Sequence, residues 1–82
     1  MLNLIAIDER TTLELPRART FRLREDEVLI IAPSDDIDEA VDWLDVQGLQ
    51  GATFAPSNTV VEFSHYTLVE TAQGKHAIRL QA

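Results

Sequence analysis

Six carboxylates, Asp35, Asp36, Asp38, Glu39, Asp42 and Asp45, fall within eleven consecutive positions of this chain. Carboxylates this dense can ligate a hard cation, pair with Arg or Lys, or present one sign of charge to a partner. The spacing argues against a cation site. A calcium loop needs spaced ligands, a central Gly and a distal Glu, and the run from Asp35 to Asp38 has none of these in register. On a helix, side chains at successive positions also diverge rather than converge. Local pairing is missing too, because no Lys or Arg stands three or four residues from any of the six. What remains is a field of one sign.

Other groups with chemical potential are scattered. His65 and His76 are the two histidines. His76 shares strand parity with Ile78 and Leu80, and His65 with Phe63, so both read as half-buried, hydrogen-bonded sheet residues. Acid–base work with Glu62 or Glu70, or a shared two-histidine metal site, is the lesser reading. Ser57 and Ser64 lack a nucleophile's surroundings, and Gly48, Gly51 and Gly74 stand too far apart to cradle a phosphate. The chain has no Cys, which removes disulfides, thiolate metal sites and thiol catalysis, and fits a reducing cytoplasm. A chain of 82 residues is also short for a substrate pocket, which usually needs about 300 Å³ or more. The expectation is a protein that is not an enzyme, with no cofactor and no metal.

Charge along the whole chain is segregated. Residues 25–74 hold eleven Asp or Glu and no Lys or Arg. Residues 1–24 carry five Arg against three acids, and residues 75–82 add Lys75 and Arg79. The net charge of −7 is the remainder of an acidic block between two mildly basic ends. Such a balance argues against anionic membranes and against unaided nucleic-acid binding. The longest early apolar run, Leu2 to Ile7, is too short to cross a bilayer.

These groups must be held by short elements of one domain, residues 1–82. Its stability margin is expected to be only about 5 kcal/mol. Leu2 to Ile7 is apolar on both parities and reads as an interior strand. Asp8-Glu9-Arg10 turns, and Thr12 to Leu15 alternates and pairs back as a hairpin ended by Pro16. Phe21 and Leu23 point one way while Thr20, Arg22 and Arg24 point the other, a third strand with a basic outer face. Val28 to Ala32 is apolar throughout and reads as a buried central strand.

Pro33-Ser34 then opens the one helix. Ser34 is a fitting N-cap, and Ile37, Ala40, Val41 and Leu44 follow the i, i+3, i+4, i+7 rule. Gly48 suits a left-handed C-terminal position, with Leu49 touching Leu44 in a Schellman close. Ala52 to Phe54 is a short strand and Pro56-Ser57-Asn58 a turn. Thr59 to Glu70 is a long extended run whose parity slips near Ser64-His65, which asks for a bulge or bend. A turn over Ala72 to Lys75 leads to a closing strand, His76 to Leu80. The fold class is α+β: a small, mostly antiparallel sheet of about five to seven short strands, with one amphipathic acidic helix on one face.

The helix carries the functional expectation. Much of its charge reads simply as a solvated face, and the first turn welcomes Asp35, Asp36 and Asp38. Asp42 and Asp45 gain nothing of that kind, because they sit near the helix C-terminus. Asp38 and Asp42 form a like-charge pair, with a cost of roughly 0.2–0.5 kcal/mol. Charge kept without local benefit points to an external cation. Trp43, at the helix edge, is an aromatic among carboxylates and either anchors an interface or packs over the sheet edge. The candidate partner-binding residues are therefore Asp35, Asp38, Glu39, Asp42, Trp43 and Asp45. The expected partner is a basic protein surface, such as that of a nucleic-acid-binding protein; direct contact with nucleic acid or membrane is not expected. In charge and size, though in no motif, the chain is similar to small acidic inhibitors that imitate nucleic acid, of phage or bacterial accessory type. The alternative is a structural homo-oligomeric subunit of a larger assembly such as a phage particle. The arginines at 17, 19, 22 and 24 then balance the acids within one chain or meet the acidic helix of a second copy.

Overall fold

The computed structural model describes residues 2–70 and 76–82. The turn expected over Ala72 to Lys75 lies outside the described residues. Among the described residues eight strands and one helix follow in chain order: β1 (Leu2–Ile5), β2 (Thr12–Leu15), β3 (Arg19–Arg24), β4 (Glu27–Ile31), α1 (Ser34–Gln47), β5 (Gly51–Phe54), β6 (Val61–Glu62), β7 (His65–Glu70) and β8 (His76–Gln81). The class is α+β and every strand pairing is antiparallel.

The strands form two sheets, not the single sheet of five to seven strands expected from the pattern. The first has the order β2-β1-β5-β6 and the second β3-β4-β8-β7. Area explains the difference. A helix of 14 residues is about 21 Å long and 10 Å wide, too small to cover the apolar side of an eight-stranded sheet. Two sheets facing one another solve the same problem. Leu2, Leu4, Leu15 and Ala52 of the first sheet meet Val28, Ile30, Ile78 and Leu80 of the second in one buried cluster, with Ile37, Ala40 and Leu44 of α1.

β1 lies inside its sheet, between β2 and β5, and β4 lies inside the other, between β3 and β8. Their apolar runs suit positions flanked on both sides. Between β1 and β2 the turn is held by Asp8. Its carboxylate accepts the N–H groups of Arg10 and Thr11, each at 2.8 Å, and the Thr11 hydroxyl at 2.8 Å. Those donors hold the Asp8 carboxyl below its ordinary value, the Thr11 N–H most strongly, then that of Arg10 and the Thr11 hydroxyl.

Three local expectations are corrected. Ser34 is the first helical residue rather than the cap. Pro33 takes that place at φ −54°, its carbonyl accepts the Ile37 N–H at 3.0 Å, and no side chain caps the helix. Proline has its φ already set for this junction. At the other end Gly48 has φ 76° and ψ 161°, so it leaves the helix extended instead of closing a Schellman turn. Its N–H still bonds the Leu44 carbonyl at 2.9 Å. That positive φ selects glycine; a Cβ there would also press on Ile7 Cδ1, the tip of an exposed side chain that can move aside.

The long run from Thr59 to Glu70 is the third correction. Its slip near Ser64-His65 is where the chain leaves one sheet for the other. The Phe63 N–H bonds the Gln50 carbonyl at 3.2 Å, just past β6, and the next N–H, of Ser64, bonds Gln81 of β8 at 2.9 Å. Phe63, buried at this corner, packs edge-on against Phe54 with ring centres 6.4 Å apart. The close approach of β6 also explains Gly51, where a Cβ would collide with the Val61 carbonyl oxygen.

Of the helix residues, Ile37, Ala40 and Leu44 are fully buried and Val41 packs beside them, as the periodicity requires. Val46, equally apolar, is 79% exposed. Leu44→Ala should therefore lower the unfolding free energy by roughly 2–5 kcal/mol, and Val46→Ala by no more than about 0.5 kcal/mol. Urea unfolding of the two variants beside the wild type measures both.

Candidate functional site

α1 crosses from β2 to β8, and its ends are fixed by two polar contacts that the local sequence does not show. Arg17, in the turn before β3, grips Asp36 with Nε to Oδ2 at 3.1 Å and Nη2 to Oδ1 at 2.8 Å. The same Nη2 lies 3.7 Å from Asp35. The hydrogen bond to Asp36, then its charge, then that of Asp35, hold the guanidinium proton more tightly than usual. At the far end the Tyr66 hydroxyl of β7 donates to the Asp45 carboxylate. That bond raises the Tyr66 pKa above its ordinary value, helped by partial burial and the Asp45 charge. Periodicity could not find either contact. Arg17 is 19 residues from Asp36, and Tyr66 is 21 from Asp45.

The six acids divide accordingly. Asp36 is largely covered, its side chain 16% exposed, and is neutralised from within the chain. Asp35 is 80% exposed and shares Arg17 only at long range. Asp45 has a neutral partner, the Tyr66 hydroxyl. Asp38, Glu39 and Asp42 are exposed, and among the described residues none of the three makes an ion pair. They stand at i, i+1 and i+4, on the side of α1 away from Ile37, Ala40 and Leu44. Trp43 is half-buried and packs against the core cluster. Its indole thus braces the helix edge beside the carboxylates.

The arginines behave differently from one another. β3 is exposed along its whole length, Phe21 at 49% and Leu23 at 48%, so the expected division into an apolar and a basic face does not hold. The register places Arg22 opposite Val28 and Thr20 opposite Ile30, on the core side, while Phe21 lies opposite Leu29 on the outer side. β3 is an edge strand, and nothing covers either side of it fully. Arg19, Arg22 and Arg24 make no ion pair among the described residues. Arg79, on the outer side of β8, lies with Nε 3.6 Å from Glu27 Oε1, and that nitrogen is buried without a hydrogen bond.

The two histidines stand at opposite ends of the β7–β8 ladder. His65 is exposed, not half-buried, and its Nδ1 lies 2.8 Å from the Ser64 hydroxyl. His76 is half-buried, with Nε2 3.5 Å from Glu70 Oε1. No group of three or more His, Cys, Asp or Glu among the described residues could hold a metal ion. No helix among them is long and apolar enough to cross a membrane. A wide, open concavity of about 510 Å³ is lined by Ile7, Leu49, Gln50, Glu62, Phe63, Ser64 and Ala82, at the corner where the chain changes sheets.

The Tyr66–Asp45 bond gives a pH signature. A group whose pKa is raised by folding contributes stability in full below its ordinary value, here 10.0, and loses it as pH rises through the folded value. Tyr66→Phe should thus cost about 0.5 kcal/mol at neutral pH, the low end for a bond that solvent reaches. The difference from wild type should shrink in alkali, as seen by chemical unfolding across pH 7 to 11.

Comparison with known proteins finds no family model, curated protein or solved structure that matches this chain.

Proposed function

We propose that this chain is a non-catalytic protein-binding module, a small acidic inhibitor, antidote or accessory factor, which presents the outer side of α1 to a basic surface of another protein. One observation carries the reading. Asp38, Glu39 and Asp42 face outward with no cation of the chain beside them among the described residues, although the chain has arginines to spare on β3. Asp35 and Asp45 extend the negative ridge towards the two ends of α1, and Asp36 is withdrawn from it by Arg17.

The chemistry of such a surface is long-range attraction. Carboxylates spaced about 5–6 Å apart along a helix match a row of Lys or Arg on a partner, including the groove of a protein that binds phosphates. Steering of this kind speeds association and weakens as salt rises. The half-buried Trp43 and its packing on the core keep the ridge rigid, so little order is lost on binding.

The test is charge reversal. Asp38, Glu39 and Asp42 are changed together to Lys, and partners are captured from the native host cell at low and high salt. The triple variant should lose capture at least tenfold while keeping its helix by circular dichroism, because all three positions are exposed and Lys is a good helix former. Wild-type capture should fall with salt. Equal capture by the triple variant overturns the reading.

A further inference from the structure

We propose that the second sheet continues from one copy of the chain into the next, with β3 of one molecule pairing antiparallel to β7 of its neighbour. Both strands are six residues long and lie at the two ends of the order β3-β4-β8-β7, so each has one row of backbone N–H and C=O groups unpaired among the described residues. Such rows are templates for another strand.

Direction follows from the strand count. Each neighbouring pair in this sheet is antiparallel. With four strands, β3 and β7 run in opposite senses. A second copy, carried across the sheet without being turned over, therefore brings its β3 beside β7 in the antiparallel sense, and the alternation continues unbroken. The contact is heterologous: one edge meets the other edge, and the pair keeps one free strand at each end.

Side chains select this pairing over the symmetric one. β3 carries Arg19, Arg22 and Arg24 and ends in an irregularity between Arg22 and Arg24. Two β3 strands side by side would oppose three cations with three cations, and like charges across a pair are unfavourable. β7 has no Lys or Arg and ends in Glu70, whose side chain is 77% exposed. Apolar surface waits on both edges, at Phe21 and Leu23 of β3 and at Leu68 of β7, 46% exposed.

The pleat limits the register. Thr20 and Arg22 share the core side with Leu68 and Glu70, through Ile30 and Ile78 and their neighbours in the ladder. Placing Phe21 opposite Val69 sets Thr20 opposite Glu70 and Arg22 opposite Leu68. Arg22 is then diagonal to Glu70, within reach of a long side chain. The contact uses none of Asp38, Glu39 or Asp42, so it stands apart from the reading of α1 above.

Sedimentation equilibrium with two edge variants tests it. Phe21→Asp blocks the β3 edge with a residue that strands disfavour, and Leu68→Lys sets a cation of β7 against the arginines. Wild type should gain mass with concentration past that of a dimer. Each variant alone should stay at the monomer mass of 9.2 kDa, and an equimolar mixture should form a single one-to-one pair, because each partner retains the edge the other lacks. Leu23→Asp and Thr67→Lys repeat the test if circular dichroism shows either variant unfolded. A wild type that is monomeric at every concentration overturns the proposal. So does self-association of the Phe21→Asp variant, which would mean a symmetric β7 contact, or a mixture that fails to pair.

Discussion

Two sheets and a helix share one small apolar core, and every other feature of the molecule is arranged around that burial. Leu2 and Leu4 come from one sheet, Ile30, Ile78 and Leu80 from the other, and Ile37 and Leu44 from the helix, all at or near zero exposure. Neither sheet could hold its shape alone: each has one apolar side and needs something to cover it. The helix is too small to do so by itself. The chain therefore passes from sheet to sheet three times, between β2 and β3, through α1 between β4 and β5, and last within the single step from Phe63 to Ser64.

Polar groups are set by what that core leaves outside. Nothing buried is polar by residue among the described positions, so charge lies on the surface and is sorted by element. The acids of α1 divide into those that tie the helix down and those that do not. Arg17 takes Asp36, Tyr66 takes Asp45, and Asp38, Glu39 and Asp42 are left facing water. On β3 the arginines likewise make no ion pair among the described residues. A surface that holds both signs apart is suited to contacts with other molecules, whether a foreign basic protein or the next copy of this one.

Periodicity made the helix legible. Ile37, Ala40, Val41 and Leu44 lie one turn apart, and an amphipathic stripe is a local property that the chain carries wherever it folds. The strands were legible for the same reason, down to the parity slip at Ser64-His65. What the slip meant was not legible. A bulge within one sheet and a crossing between two sheets leave the same mark on the sequence, and only pairing partners tell them apart. Phe21 and Leu23 show the reverse problem: alternation implied an inward face, but a strand at a sheet edge has too few neighbours to cover either side. Ser34 lost the cap to Pro33 because backbone geometry, not side-chain type, decides where the first helical bond begins.

Composition and local pattern by themselves determined that this is an α+β chain, with antiparallel strands, one acidic helix and its charge divided between the ends and the middle. These follow from steric and hydrophobic preferences that act over a few residues. Tertiary structure alone decided that there are two sheets, that Arg17 neutralises Asp36, and that Tyr66 meets Asp45. Such contacts join residues far apart in the chain, and their geometry exists only once the shared core has brought the elements together.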